Sequence, residues 1–296
     1  MNRPGLRPGL RGVALLLILA GLVVPRFMVR RPVHDVLVVL DITASMNTAD
    51  MVLDGRPIAR LAVEKLALRR LLDRMPCGSR LAVAVFVERV PFLLFDPLEI
   101  CGNYEPLRRE ISALDWRMGW DSESHIAEAL LRSMQMAQHL GTDLVFMTDG
   151  QESPPLWWNG LPKFAPLRGS VPGAILGLGG NRLVPIPRFD SQNHQIGYYR
   201  SIDVPSDAKG MFAGHGNLTA EDTPHLRQLA ALTGLSYRHL GTPDGLWRSV
   251  QATGHARRLV TRIDAAPYAA ALALGIFVLS FAPLSRPARG RGRDRS

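Results

Sequence analysis

The sequence lacks several short motifs that identify common enzymes and metal centres. It has only two cysteines, which do not form a C-x-x-C motif, and its eight histidines are scattered rather than paired at helical spacing. A G-x-S-x-G turn is also absent. These absences argue against the usual zinc, thiol-redox and serine-hydrolase sites. We therefore expect a protein that is not an enzyme and has no small-molecule substrate.

Lysine is scarce, and acidic residues are rare at both ends of the chain. Only Lys65, Lys163 and Lys209 accompany the many arginines, so that the 35 basic residues are almost all arginine. Residues 1–33 contain six arginines and no acid, and residues 255–296 contain eight arginines and two acids. The formal charge of +9 therefore comes from the ends, and the body between them is mildly acidic. This distribution argues against nucleic acid as a partner and suits ends that contact membrane phosphates.

Two apolar stretches flank the body. Val13–Val24 has the length of a signal-peptide core, but no small-x-small cleavage pair follows it, so residues 1–33 are expected to be an anchor, with a cleaved signal as the alternative. Residues 265–284 are free of charge over 20 positions, which predicts a transmembrane helix. The arginine-rich tail, residues 285–296, is expected in the cytoplasm. The body is then expected in the periplasm, at a bacterial inner membrane.

Residues 34–254 alternate short apolar strands with longer helical patterns, which predicts an α/β fold with a mainly parallel central sheet and helices on both faces. Leu81–Val87 and Pro91–Phe95 are close enough to form one antiparallel edge hairpin. Pro57 is expected to open a helix. Residues 180–220 are rich in Pro, Gly, Asn and Asp and predict an inserted loop or hairpin.

Three loops in this body begin with oxygen-bearing side chains. Asp41, Thr43 and Ser45 follow the aliphatic run 36–40, Ser124 precedes a predicted helix, and Asp149 follows the run 144–147 within a Thr-Asp-Gly sequence. In an open parallel sheet such loops meet at the carboxyl edge. Hydroxyls and carboxylates favour Mg²⁺, with Mn²⁺ or Ca²⁺ as alternatives. A second interpretation is that Asp41 and Ser124 merely cap helices.

This order of strands and motifs resembles the von Willebrand factor A (vWA) family and its metal-ion-dependent adhesion site, over about residues 34–254. By that resemblance Asp41, Thr43 and Ser45 match the D-x-S-x-S motif, Ser124 matches the Thr of the second loop, and Asp149 matches the Asp of the third. Thr43 and Ser124 depart from the usual residues but keep a hydroxyl. The resemblance implies a Rossmann-like vWA fold. It also implies a divalent ion whose open position takes a carboxylate from a protein partner.

A narrower resemblance rests on residues 76–80, 115–120 and 148–156, which look like those of vWA proteins from bacterial methanol-oxidation gene clusters. It implies an accessory role in the maturation of a periplasmic quinoprotein dehydrogenase. One alternative is a structural or adhesive module at the membrane. Another is a haloacid dehalogenase-type phosphatase, but that family needs a second Asp where this chain has Thr43.

The two cysteines lie at equal distances from the predicted hairpin turn. Cys77 and Cys101 are each 12 residues from position 89. Continued antiparallel pairing brings them together, so we expect a disulfide in an oxidising compartment. Two unpaired buried thiols are the alternative.

Four of the five tryptophans lie in the loops that carry the predicted ligands. They are Trp116, Trp120, Trp157 and Trp158. Tryptophan is a strong interface anchor, so these rings are candidates for partner binding. The alternative is a lid of rings packed over the edge of the sheet.

Overall fold

The computed structural model describes residues 6–23, 27–119, 123–154, 156, 160–204, 216–263 and 266–281. The chain divides into two compact units. The larger is Pro32–Leu259, and the smaller is drawn from Met1–Arg31 and Val260–Ser296. The expected cytoplasmic tail, residues 285–296, lies outside the described residues.

A six-stranded sheet forms the centre of the larger unit. Its strands are β2 (Asp35–Asp41), β5 (Arg80–Val87), β6 (Val90–Glu99), β7 (Asp143–Thr148), β8 (Gly173–Gly177) and β13 (Ser236–His239). They stand in the order β13-β8-β7-β2-β5-β6. Every neighbouring pair is parallel except β5 and β6, which are antiparallel. The predicted α/β class and mainly parallel sheet with one antiparallel edge hairpin are confirmed.

Helices cover both faces of this sheet. They are α2 (Arg60–Arg74), α3 (Tyr104–Ala113), α4 (Ile126–Leu140), α5 (Thr223–Thr233) and α6 (Gly245–Thr253). Helices α2, α3 and α6 share one core, and α4 and α5 share the other. Successive side chains of β2 point to opposite faces of the sheet and so enter different cores. The first core contains Val36, Val38 and Leu40, and the second contains Leu37 and Val39. A strand covered on both faces has to be apolar throughout.

The edge hairpin carries the disulfide. Strands β5 and β6 turn at Glu88, whose φ is 63°. Cys77 and Cys101, the pair expected to bond, lie just outside the two strands and form a disulfide with a Cα–Cα distance of 5.3 Å. The bond therefore closes the open end of the edge hairpin.

A small hairpin precedes α2. It consists of β3 (Met51–Leu53) and β4 (Arg56–Ile58), which turn through Asp54 and Gly55 at φ values of 50° and 76°. Pro57 was expected to open the helix. It instead pairs with Val52 in this hairpin, and α2 begins at Arg60. The Asp-Gly turn accounts for the difference, since both positions favour a tight hairpin.

Residues 180–220 between β8 and α5 form what we call the insert. Within it, β10 (Pro187–Phe189) and β11 (Gln195–Tyr198) make an antiparallel hairpin, and β9 (Val184–Pro185) pairs with β12 (Leu218–Thr219). Strand β10 lies against the short 3-10 turn Ala44–Asn47 that follows β2. The insert therefore lies beside the first of the three loops.

The smaller unit brings together the two ends of the chain. Helix α1 (Leu6–Val23) packs against α7 (Ala266–Leu279), and β1 (Phe27–Val33) pairs with β14 (Arg257–Ile263). Helix α7 has 14 residues, fewer than the 20 expected for residues 265–284. In the described parts of the chain, no helix combines the length and the apolar character needed to cross a membrane.

Candidate functional site

The first loop begins where β2 ends, at the fully buried carboxylate of Asp41. Its Oδ1 accepts hydrogen bonds from the backbone N–H of Thr43 at 2.9 Å and from the Thr43 hydroxyl at 2.6 Å. Its Oδ2 accepts one from the Thr148 hydroxyl at 2.7 Å. The hydroxyls of Thr43 and Ser45 lie 3.4 Å apart. The D-x-T-x-S sequence thus folds so that alternate side chains come together after the strand.

The third loop leaves the neighbouring strand, β7, at Thr148. Asp149 is also fully buried, and its Oδ1 accepts from the backbone N–H of Gln151 at 3.0 Å. Gly150 has φ of 82°, and a Cβ there would lie 2.7 Å from the Leu226 side chain of α5. Glycine therefore meets both the backbone conformation and the close approach to α5 that this loop needs.

The second loop is held between the other elements by its backbone. Ser124 and Ser153 exchange hydrogen bonds of 2.6 and 2.8 Å, and the backbone of Glu88 bonds on the other side, to Glu123 and His125. The hydroxyl of Ser124 is buried and has no hydrogen-bond partner among the described residues. A buried polar atom without a partner is costly unless a ligand or water satisfies it.

Glu152 fixes the third loop against the start of α4. Its carboxylate accepts from the backbone N–H groups of Ile126 at 3.0 Å and Ala127 at 2.8 Å. These N–H groups belong to the first turn of the helix and have no partner within it. The helix that follows Ser124 is therefore fixed to the loop that carries Asp149.

Thr43, Ser45 and Ser124 line one cavity of about 200 Å³. The predicted hydroxyl ligands therefore share one space. The insert closes part of it through Ile186, Tyr199, Asp203, Val204 and Gly216. Asp41 and Asp149 lie behind this lining. Asp41 is linked to it through the hydrogen bonds of Thr43.

A buried arginine that the sequence analysis did not select joins this cluster. Arg60, at the start of α2, donates to Asp149 Oδ2 at 2.7 Å and, through two nitrogens, to Asp50 at 2.6 and 2.8 Å. It also donates to the Thr219 hydroxyl of the insert at 2.8 Å. The guanidinium is fully buried, so these hydrogen bonds replace its hydration. Arg60 therefore positions Asp149.

Negative charge is in excess around the site. Burial, and after it the charge of Asp149, raises the pKa of Asp41 to about 7. Burial and the charges of Asp41 and Asp149 also raise the pKa of Glu64, on α2, well above its ordinary value. One guanidinium thus faces several carboxyl groups. A cation in the neighbouring cavity would lower the electrostatic cost of ionising them.

The donor set fits a hard divalent cation. Within the described residues, no three His, Cys, Asp or Glu side chains converge as a cage, so hydroxyls have to supply part of any ligand set. Thr43, Ser45 and Ser124 would be those hydroxyls, with Asp41 and Asp149 supplying the charge behind them. Oxygen donors of this kind suit Mg²⁺, Mn²⁺ or Ca²⁺. The Ser124 hydroxyl has no other partner among the described residues and could serve as one of these donors.

Of the four selected tryptophans, one lies in the described residues. The Trp116 indole N–H donates to the Asn193 side chain at 2.7 Å, and its ring centroid lies 6.0 Å from that of Phe189. Both partners belong to the insert. Trp116 therefore packs against the insert, which agrees with the alternative in which these rings form a lid. Trp120, Trp157 and Trp158 lie outside the described residues. Their role in partner binding stays a prediction.

Residues 36–151 match the family model described as the von Willebrand factor type A domain. The match includes all five predicted ligands, from Asp41 to Asp149. The match covers less than half of the chain and shows that this part is similar to vWA domains. No curated protein matches the chain in sequence.

Several solved structures are similar in fold. An aerotolerance-related membrane protein from Bacteroides fragilis is 17% identical with a TM-score of 0.50, and the match covers 74% of this chain and 97% of that one. A von Willebrand factor type A structure from Catenulispora acidiphila is 12% identical with a TM-score of 0.43, covering 74% and 42%. An uncharacterized membrane spanning protein from Vibrio fischeri is 19% identical with a TM-score of 0.30, covering 74% and 96%. At these identities the likeness concerns the fold alone.

Proposed function

We propose that this vWA-type domain binds one divalent cation through Asp41, Thr43, Ser45, Ser124 and Asp149 and uses it to hold a protein partner. The observation that carries the proposal is the buried Ser124 hydroxyl, which has no partner among the described residues and opens into the cavity shared with Thr43 and Ser45. Mg²⁺ is the ion we expect, with Mn²⁺ or Ca²⁺ as alternatives. The bound ion would offer positive charge and an open position to a partner's Asp or Glu.

The local chemistry favours recognition over catalysis. The carboxylate of Asp41 already accepts three hydrogen bonds, from Thr43 and Thr148, which leaves it poorly placed to act as a nucleophile. The phosphatase alternative also needs an acid two residues after Asp41, and Thr43 occupies that position. A role without turnover therefore fits the site better than a phosphatase role.

The ends of the chain support a place at a membrane. On α1 and α7, which pack against each other, large apolar side chains stay exposed, including Leu16 at 66%, Leu274 at 63% and Leu279 at 65%. Exposed apolar surface of this extent marks an interaction site, and lipid is the occupant we propose. No described helix is long and apolar enough to span a membrane, so the proposed place of the vWA-type domain in the periplasm rests on the apolar stretches and arginine-rich ends of the sequence.

The finer role we propose is that of an assembly or maturation factor for a periplasmic metalloenzyme, such as a quinoprotein dehydrogenase. It rests on the resemblance of residues 76–80, 115–120 and 148–156 to vWA proteins of methanol-oxidation gene clusters. A structural or adhesive module at the membrane is the alternative. The two roles differ in their client: a maturation factor releases one enzyme, whereas an adhesive module stays bound to a surface.

The metal site is best tested at Ser124. Because its hydroxyl has no protein partner among the described residues, Ser124→Ala should leave the free energy of unfolding unchanged while weakening calorimetric Mg²⁺ binding about tenfold or more. Asp149→Ala is harder to interpret, because it also removes a hydrogen-bond partner of the buried Arg60 guanidinium. The matched control is Ser153→Ala, which lines the same cavity without being a predicted ligand. Equal Mg²⁺ affinity in the two variants would refute the proposal.

The partner is tested by affinity purification of the full chain from membranes, with Mg²⁺ or with chelator, followed by mass spectrometry. A maturation factor should capture one soluble enzyme that is lost with chelator and in Ser124→Ala. A client retained equally under all these conditions would leave the ion without a role in binding. Retention of a cell-surface component instead would favour the adhesive alternative.

A further inference from the structure

A second cavity lies at the same edge of the sheet as the metal loops. It has a volume of about 870 Å³ and is lined by Gly180, Glu221, Arg227, Tyr237, Arg238 and His239, among others. It opens where β8 and β13 end, and β2 and β7 end at the same edge because all four strands are parallel. Neighbouring strands are about 4.8 Å apart, so this cavity lies roughly 10 Å along the edge from the metal loops.

Among the described residues of the lining, the one carboxylate already makes three hydrogen bonds. Glu221 is nearly buried, and its Oε1 accepts from the hydroxyls of Thr223 and Tyr237. Its Oε2 is bonded to His239 Nδ1 at 2.5 Å. These three hydrogen bonds use most of the acceptor positions of the carboxylate, and no described arginine pairs with it.

Two guanidinium groups of the cavity have no acid partner in the part of the chain that the structure describes. Arg227 lies over the Tyr237 ring at 5.7 Å, and neither Arg227 nor Arg238 forms an ion pair with any described residue. Both are exposed on the cavity wall. The Glu221 hydrogen bond also raises the pKa of His239, which adds positive charge to the lining. The cavity therefore offers several unused donors and a positive potential.

The floor of this cavity is tied to the metal loops. The backbone N–H of Gly180 donates to Asp50 Oδ2 at 2.7 Å, and Asp50 is the carboxylate that pairs with Arg60. A Cβ at Gly179 would lie 2.7 Å from the Arg60 guanidinium carbon, so the chain runs directly over that group. The two cavities thus share one rigid support.

We propose that Arg227 and Arg238 bind a second carboxylate of the same partner, so that an acidic protein segment spans the cavity and the metal ion. The proposal rests on the proposed function for the partner's first carboxylate. In a polyproline II-type segment three residues make one turn and rise about 9 Å, which brings the side chains at positions i and i+3 to one face and matches the separation along the sheet edge. The recognised pattern is then two acids three positions apart. Arginine suits the task because its planar fork binds carboxylates in two places.

The test uses the full chain in detergent and two labelled peptides, measured by fluorescence anisotropy with Mg²⁺. One peptide contains Asp-Gly-Gly-Asp and the other Asp-Gly-Gly-Asn. Wild-type protein should bind the first roughly tenfold more tightly. The double variant Arg227→Gln/Arg238→Gln should remove that advantage, whereas the control Arg56→Gln/Arg109→Gln, which changes two exposed arginines elsewhere, should keep it. Calorimetric Mg²⁺ affinity should be the same in all three proteins.

The proposal is wrong if the advantage of the two-acid peptide survives Arg227→Gln/Arg238→Gln. It is also wrong if the two peptides bind equally while inorganic phosphate binds wild type and not this variant, since the cavity would then be a site for small anions. Failure of the proposed function has a different signature. In that case chelator changes neither peptide's affinity, but the dependence on Arg227 and Arg238 is still measurable.

Discussion

Arg60 and Glu64 lie one helical turn apart on α2, and both are fully buried, but they differ in their partners. The Arg60 guanidinium donates to two carboxylates and a hydroxyl. Glu64 has much weaker support: neither carboxyl oxygen makes a hydrogen bond of ordinary geometry among the described residues, and the backbone of Asp41 is the one group there that lowers its pKa. The same helix therefore carries one satisfied and one unsatisfied buried ionisable group beside the metal loops.

Arg60 and Glu64 show two different effects of burying an ionisable group. Burial removes hydration from both groups, but hydrogen bonds to Asp50 and Asp149 replace it only for Arg60. Loss of a partner from a satisfied pair leaves an uncompensated charge. Loss of an unsatisfied buried group removes the free-energy penalty of its desolvation. The two positions should therefore respond in opposite directions to substitution by an apolar residue of similar length.

The largest effect is expected at Arg60. Arg60→Met would leave Asp149 and Asp50 without their main donor, and the free energy of unfolding should fall by about 3–5 kcal/mol. Chemical denaturation of the full chain in detergent, followed by circular dichroism, measures this loss. Arg60→Lys is the control that keeps the charge but loses the two-pronged contact with Asp50, so its loss should be intermediate. A loss below about 1 kcal/mol in Arg60→Met would contradict the role assigned to the guanidinium.

Much of the sheet could be predicted because its strands are covered on both faces. The aliphatic runs of β2 and β7 carry no polar interruption, and such runs are typical of buried parallel strands. The hairpin of β3 and β4 was not predicted, although Asp54 and Gly55 form a recognisable turn. Pro57 suits both the first turn of a helix and a short edge strand, and the sequence alone did not separate the two.

The candidate ligands could be selected because each follows the end of a strand or opens a helix. Their supporting residues could not. Arg60 is the first residue of an amphipathic helix, where arginine is usually solvated, and its partners Asp50, Asp149 and Thr219 are up to 159 residues away in sequence. Only the folded chain brings these groups together. The same holds for Arg227 on α5 and Arg238 on β13, which line one cavity.

A smaller effect of opposite sign is expected at Glu64. Glu64→Met removes a buried carboxyl that makes no hydrogen bond of ordinary geometry among the described residues, and it fills the same space with an apolar side chain. The free energy of unfolding should therefore rise by about 1–3 kcal/mol. Glu128→Met, on the exposed face of α4, is the control and should give no comparable gain. Destabilisation by Glu64→Met would mean that the carboxyl is satisfied in a way that the comparison with Arg60 misses.

The smallest effect is expected for Glu221 and His239. This pair is intermediate between Arg60 and Glu64, because Glu221 has a charged partner but His239 is half exposed to solvent. The Glu221 hydrogen bond raises the pKa of His239 above 6.5. Although burial opposes it, hydrogen bonding from His239, Tyr237 and Thr223 lowers the pKa of Glu221 below 4.5. The contribution of His239 is therefore fully present below pH 6.5 and lost as pH rises through its folded-state pKa, while that of Glu221 is lost only at acidic pH.

Wild-type protein should consequently lose stability between about pH 6 and about pH 8, and His239→Gln should lose less, because glutamine can still donate to Glu221 but does not titrate. Denaturation midpoints at the two pH values measure the difference. The control is His255→Gln, which changes an exposed histidine and should follow wild type. An identical pH dependence in His239→Gln and wild type would show that Glu221 does not stabilise the charged imidazole. Solvent exposure would then be sufficient to cancel an ion pair that complete burial preserves at Arg60.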